Sequence, residues 1–311
     1  MRNGDLPLLN FIKDKLETFR EGTPLPGIEP ISNLNCLILQ IIDSVRRIKY
    51  VTTIRENDIS GVYCDATKSF FDPLKASVWH IRNNNLDEAF WLVFLSTHFG
   101  KNKNTGWNLV KGVYGAMHTP VYWNWERIQD NFSNFQVWLF AHQDALKATG
   151  SFGNHRKYQS IDAYKSTGTG VAIGSYIDWI SEYQNHQGLI DDMLENGISE
   201  PKEAFNYLYS QLNRVVSFGR TAKFDFLTMI GKLKLINIEP DSTYMTGATG
   251  PKSGARLLFG GSKEAPINQT DLETLLNKLE VHLNLYFGMQ VLEDALCNWQ
   301  KSPSNYLYFN G

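Results

Sequence analysis

The chain has 311 residues, 42% of them hydrophobic, and a formal net charge of −2. That supplies apolar mass for one large core or two helical subdomains, and the near-neutral balance excludes a globally basic nucleic-acid binder. Three scattered cysteines, Cys36, Cys64 and Cys297, exclude a disulfide framework or a four-cysteine iron–sulfur cluster. The seven histidines show no metal-ligand spacing. No apolar run reaches the ~20 residues of a membrane span, and the first residues lack a signal-peptide core. We expect a soluble, cytoplasmic monomer with no cofactor and no membrane partner.

In chain order, Ile38, Ile41, Ile42, Val45 and Ile48 follow the i, i+3, i+4, i+7 spacing of a helix with one apolar face. "LDEAFWLVFLSTHF", Leu86–Phe99, is apolar almost throughout, which predicts a helix buried on most sides. "PVYWNWERI" (120–128) offers Tyr122, Trp123 and Trp125, either a possible pocket whose rings stack on a flipped base or sugar, or ordinary core. The glycine-rich stretch 148–170 separates two helical regions as a joint or a substrate-facing loop. Within it "GNHRKY" (153–158) suits a phosphate grip or a solvated loop. "STGTG" (166–170) is no P-loop, because no Gly-Lys-Ser/Thr follows.

Ser199 and Pro201 mark the next helix start, with Phe205, Leu208, Leu212 and Val215 along one face. Phe224, Leu227 and Ile230 are in register within 221–234. Thr270 and Glu273 form a T-x-x-E capping-box pattern ahead of Leu275, Leu276, Leu279 and Leu283. No alternating hairpin pattern stands out. The expected class is mainly α: an N-terminal helical region over 1–150, a loop-rich joint over 151–198 and a functional helical region over 199–311.

Charge is unevenly spread. From Gln211 to Lys263 there are eight Lys/Arg against three acids, while the segments on either side are net negative. A basic stretch in a neutral chain suits a polyanion bound on one face, or a solvated helical surface. Inside it, "TGATGPKSGARLLFGG" (246–261) holds five glycines and a proline beside Lys252 and Arg256. Glycines let backbone N–H groups approach a phosphate, and a helix N-terminus adds positive partial charge. Gly247, Thr249, Gly250, Lys252, Ser253 and Arg256 are therefore candidate DNA-backbone contacts; the alternative is a glycine-rich helix connection. The pattern resembles the helix-hairpin-helix element of DNA-binding proteins, with a "GATG" turn one residue longer than the usual Gly-x-Gly.

Asp271 follows Lys252 by 19 residues, in the first turn of the next helix. In the helix-hairpin-helix DNA glycosylases an essential Asp follows the hairpin at about this distance. The resemblance makes Asp271 the candidate catalytic carboxylate, stabilising positive charge on the sugar as a glycosidic bond breaks; an acid there also simply complements the helix dipole. Lys252 stands where glycosylase-lyases carry an attacking amine, and is a Schiff-base candidate or a phosphate contact.

"SFGRTAKFDFLTMIGKL" (217–233), "TGPKSGARLLFGG" (249–261) and "LEDALCNWQK" (292–301) resemble the alpha-glutamyl/putrescinyl thymine pyrophosphorylase family, as "AFWLVFLSTHFGK" (89–101) does more weakly. That family is regarded as a branch of the helix-hairpin-helix DNA glycosylase superfamily, tied to hypermodified bases in phage DNA, with some relatives acting as antiphage glycosylases. The resemblance implies a helix-hairpin-helix glycosylase-like helical fold with two subdomains, and double-stranded DNA carrying modified bases as partner. It also matches Arg220 and Asp225 to the family's Gly-Arg…Phe-Asp pattern; by spacing alone the two could equally form a salt bridge or cap. The implied activity is base excision, or adduct transfer to a 5-hydroxymethylpyrimidine by the same scaffold, or DNA binding alone.

Overall fold

The structure, a computed structural model, describes residues 3–119 and 121–308. Its described residues form fourteen α-helices and no strand, so the fold is mainly α as expected. The first seven are α1 (Leu6–Gly22), α2 (Ile31–Glu56), α3 (Pro73–Arg82), α4 (Leu86–Phe99), α5 (Asn108–Tyr114), α6 (Trp125–Asp130) and α7 (Phe132–Thr149). Then come α8 (Thr169–Ser181), α9 (His186–Glu195), α10 (Pro201–Gln211), α11 (Arg220–Lys232), α12 (Gly250–Gly260), α13 (Gln269–Leu283) and α14 (Gly288–Trp299). No helix among the described residues is long and apolar enough to cross a membrane.

The chain divides into two compact units, Met1–Tyr50 with Pro240–Asn310, and Val51–Glu239. These limits do not coincide with divisions at 150 and 198: the first unit draws on both ends of the chain. The reason is hydrophobic. Ile12, Leu16 and Phe19 of α1 and Ile38, Ile41 and Ile42 of α2 need apolar partners, and find them in Leu272, Leu276 and Leu279 of α13 and Val291, Leu292 and Trp299 of α14.

Within this unit α12 is held on two sides by backbone close enough to exclude any side chain. A Cβ on Gly254 would stand 2.3 Å from the Leu296 carbonyl oxygen of α14, and one on Gly27 would stand 2.1 Å from the Leu257 carbonyl oxygen of α12. Glycine is the residue that permits such approaches. They fix the direction in which the N-terminus of α12 points.

The second unit is organised by α4, which runs from Leu86 to Phe99 as its apolar run predicts, with every residue from Glu88 to Phe99 buried. Asn85 caps it by accepting the Glu88 N–H at 3.2 Å. Phe94 stacks on Tyr176 at 3.9 Å and on Phe218 at 5.1 Å, and meets Phe226 edge-on. The stretch 150–168 is irregular apart from a 3-10 turn at Asn154–Arg156. α10 starts at Pro201, but its N-cap residue is Glu200, and Ser199 makes no cap.

Candidate functional site

Residues 242–273 of the first unit contain the hairpin and Asp271, and the loop ahead of the hairpin is bonded to the first turn of α13. Glu273 makes that link, and not by capping. Its Oε2 accepts the hydroxyls of Ser242 (2.8 Å) and Thr243 (3.0 Å), and its Oε1 accepts the Met245 N–H (3.0 Å). Gln269 Nε2 donates to Thr246 Oγ1 at 2.6 Å. The loop leading into the hairpin is thus tied directly to the first turn of α13.

The capping box expected from Thr270 and Glu273 is therefore not formed. The helix starts at Gln269, and its N-cap is Asn268, whose Oδ1 accepts the Asp271 N–H at 2.9 Å. Asn268 Nδ2 in turn donates to Asp271 Oδ2 at 2.7 Å. Local pattern favoured a glutamate folding back on its own helix; three donors from the neighbouring loop won it instead, one of them a backbone N–H that needs an acceptor once the loop packs. Asp271 is exposed in the first turn of α13, so water reaches its carboxylate.

The hairpin glycines divide by role. Gly247 has φ +76° and nothing within 4 Å of where a Cβ would be, so it is glycine for its backbone angle, at an open edge. A Cβ on Gly250 would stand 2.7 Å from Cys297 Sγ, so it is glycine for packing against α14. α12 begins without a side-chain cap, which leaves first-turn N–H groups available to an anion. Thr249 is exposed there; Lys252 and Ser253 are half-buried, and neither side chain makes a hydrogen bond or ion pair with a described residue. Arg256 lies one turn on and donates weakly to the Ile267 carbonyl, at 3.3 and 3.4 Å.

The remaining candidates lie in the second unit. Asp225 is not paired with Arg220, which lies against the Phe224 ring at 5.9 Å. It accepts from Arg156 Nη2 at 2.9 Å and faces His155 Nδ1 at 3.6 Å. Burial opposes its charge, but His155, Arg156 and Lys232 together hold the carboxyl below its ordinary value. Trp123 and Trp125 are 3% and 4% exposed, which leaves neither ring open for stacking. Tyr122 is half-buried and donates to Asp65 at 2.9 Å.

Three buried polar groups take roles the sequence did not show, among them Arg156 of "GNHRKY", whose guanidinium is turned inward rather than toward a phosphate. Arg156, 7% exposed, donates to the Thr97 carbonyl and to Asp225, tying the loop 150–168 to α4 and α11. His186 is fully buried between Asp87 Oδ1 (2.6 Å) and Tyr176 O–H (2.7 Å). Burial lowers its pKa against the pull of Asp87, and in the neutral ring Nδ1 donates to the Asp87 carboxylate while Nε2 accepts from Tyr176. Glu88 accepts the Trp125 N–H at 2.8 Å, and burial pushes its carboxyl up to about 6. Each is a single residue whose partner is distant in sequence, and only its isolation within an apolar or glycine-rich stretch set it apart. Among the described residues no three His, Cys, Asp or Glu side chains gather as a metal site requires.

A family described as alpha-glutamyl/putrescinyl thymine pyrophosphorylase clade 3 matches residues 32–311, across both units. No curated protein and no solved structure matches the chain.

Proposed function

The chain belongs to clade 3 of the alpha-glutamyl/putrescinyl thymine pyrophosphorylase family, and on that premise we propose that it is a DNA N-glycosylase excising a bulky, hypermodified pyrimidine from phage DNA. The observation that carries this reading is the uncapped start of α12 with Lys252 and Ser253 uncommitted beside it, in a chain whose next helix opens on the exposed carboxylate of Asp271. Gln269 and Glu273 tie the first turn of α13 to the loop leading into the hairpin.

The N–H groups at the start of α12, the Lys252 ammonium and the Ser253 hydroxyl receive a backbone phosphate, which sets register without reading sequence. A modified base leaves the stack, and the sugar seated over Asp271 displaces the water now around that carboxylate. As the C1′–N bond breaks, positive charge grows on the sugar. The Asp271 carboxylate stabilises it and orients the water that adds to C1′. The base departs with its bonding electrons and is protonated, leaving an abasic site. Invading DNA that carries such bases would be damaged while unmodified host DNA is spared. In this scheme Lys252 is a phosphate contact rather than a Schiff-base nucleophile, so borohydride should trap no protein–DNA adduct.

The family's description favours a second reading, a base-modifying transferase in which an amine co-substrate displaces pyrophosphate from a pyrophosphorylated 5-hydroxymethylpyrimidine, since an uncapped helix start with a lysine suits pyrophosphate equally. One experiment separates the two. Purified protein is incubated with normal and hypermodified phage DNA, and with DNA carrying a pyrophosphorylated 5-hydroxymethylpyrimidine plus an amine, and abasic sites and released pyrophosphate are both counted. Excision leaves abasic sites in the modified DNA alone; transfer leaves none. Asp271→Asn should lower base release by roughly a hundredfold or more while binding to the same DNA persists. Release at the wild-type rate would overturn the mechanism.

A further inference from the structure

We propose that two clasped loops of the second unit, 100–107 and 150–158, form a further DNA-contacting surface, on which Lys101, Lys103 and Lys157 meet phosphates and Tyr158 stacks on an unpaired base. The proposal shares with the glycosylase reading only the premise that DNA is the partner.

The two loops are one surface because their backbones interlock. Gly153 N–H donates to the Phe99 carbonyl at 2.8 Å, and Asn102 Nδ2 donates to the Phe152 carbonyl at 2.9 Å. Ser151 N–H donates to Thr105 Oγ1 at 3.3 Å. A Cβ on Gly153 would stand 2.9 Å from Gly100, whose own φ is +67°. Arg156 pins the second loop from beneath through the Thr97 carbonyl and Asp225. A surface already ordered loses little conformational entropy when it binds.

Its charge is uncommitted. Neither loop contains an acid. Lys101, Lys103 and Lys157 are exposed, and none makes an ion pair with a described residue. Asp225 is held by Arg156, and Asp72 caps α3 while accepting from the Trp107 indole at 3.3 Å. Aromatic rings alternate with the cations. Lys101 lies 5.6 Å from the Trp107 ring and Lys157 lies 5.2 Å from that of Tyr158. Tyr158 is 89% exposed, the most open large hydrophobic side chain described, and its ring contacts no other aromatic.

Lysines for phosphates and a bare ring for a base are what single-stranded nucleic acid requires. A membrane surface fits less well, because neither loop holds an aliphatic side chain to insert. Phe152 is stacked on Phe99 at 5.5 Å, and Trp107 is held by Asp72, so neither is available for insertion.

The test uses the full chain and an unmodified single-stranded thymidine oligonucleotide of about 15 nucleotides, with affinity followed against salt. The triple variant Lys101→Ala, Lys103→Ala, Lys157→Ala should lower the log–log salt slope by about two. Tyr158→Ala should weaken binding about fivefold or more, and Tyr158→Phe should restore it. All four positions are exposed, and matching thermal unfolding confirms intact folds. A wild-type slope in the triple variant, or binding of anionic vesicles or polyglutamate as tight as that of DNA, overturns the proposal. Lys252→Ala is measured alongside. A slope lost only in that variant leaves the hairpin standing and removes this surface; a slope lost only in the triple variant does the reverse. No binding of the oligonucleotide by the wild type removes this surface alone, because the hairpin's partner is duplex DNA.

Discussion

Lys252 and His186 mark opposite uses of a polar side chain. In the first unit, Thr249, Lys252, Ser253 and Asp271 stand around helix starts, and no other side chain consumes the lysine or the serine. In the second unit the buried His186 is satisfied by Asp87 and Tyr176 and enclosed by the Phe90 and Trp125 rings at 4.7 Å. Polar groups buried and paired hold a fold in one arrangement. Polar groups left on a rigid edge can be satisfied by a ligand. If this contrast is sound, changes in the second group should be felt as stability and changes in the first as binding or rate.

The largest effect should come from acid. Burial holds His98 down to about 3 and His80 down to about 4, and lowers His186 against the pull of Asp87. Unfolded, all three protonate near 6.5. Below that pH the unfolded chain binds more protons, so stability falls by roughly 1.4 kcal/mol per pH unit for His98 and by less for the more open His80, and His186 adds in the same direction. Glu88 has the opposite sign: its carboxyl is raised to about 6, so it stabilises below the ordinary carboxylate range and loses that contribution as pH rises through 6. Three histidines outweigh one carboxyl. The urea midpoint should drop steeply between pH 7 and pH 5, and an unchanged midpoint would contradict the contrast.

His186→Ala removes the bridge and opens a hole among aromatic rings. It should cost about 3 kcal/mol or more in chemical denaturation, whereas Tyr176→Phe, losing one hydrogen bond and no volume, should cost about 1 kcal/mol.

The glycines of the first unit sharpen the comparison further. Gly254→Val forces a side chain onto the Leu296 carbonyl and should cost about 2 kcal/mol or more, with DNA binding lost as α12 shifts. Gly247→Ala meets open space and only its left-handed angle resists, so about 1 kcal/mol is expected. Equal losses in the two thermal melts would mean that packing does not hold the hairpin.

The smallest effect on stability, and the cleanest sign of a ligand-facing group, should be at Lys252. Lys252→Ala should leave the unfolding midpoint within about 0.5 kcal/mol of wild type. The salt slope for duplex DNA should fall by about one phosphate contact. A stability loss without a change in slope would make Lys252 a structural residue.

What could be read in the amino-acid order is what neighbours in the chain decide. The apolar run Leu86–Phe99 and the proline at position 201 announced their helices, because solvent exclusion and proline's missing N–H act locally. The glycine-rich turn, its lysine and the following first-turn acid were likewise visible as a spacing.

Only the tertiary structure decided where those features' partners lie. Glu273 abandons its helix for a loop about thirty residues earlier. Asp225 pairs with Arg156, 69 residues away, instead of Arg220 on its own helix. Both ends of the chain build one unit. Hydrogen bonds and packing contacts depend on distance in space, which chain order does not encode. Hence the sequence alone determined a mainly helical protein with a candidate phosphate grip and acid. Which of its polar groups are buried in pairs and which face outward was settled by how the helices pack.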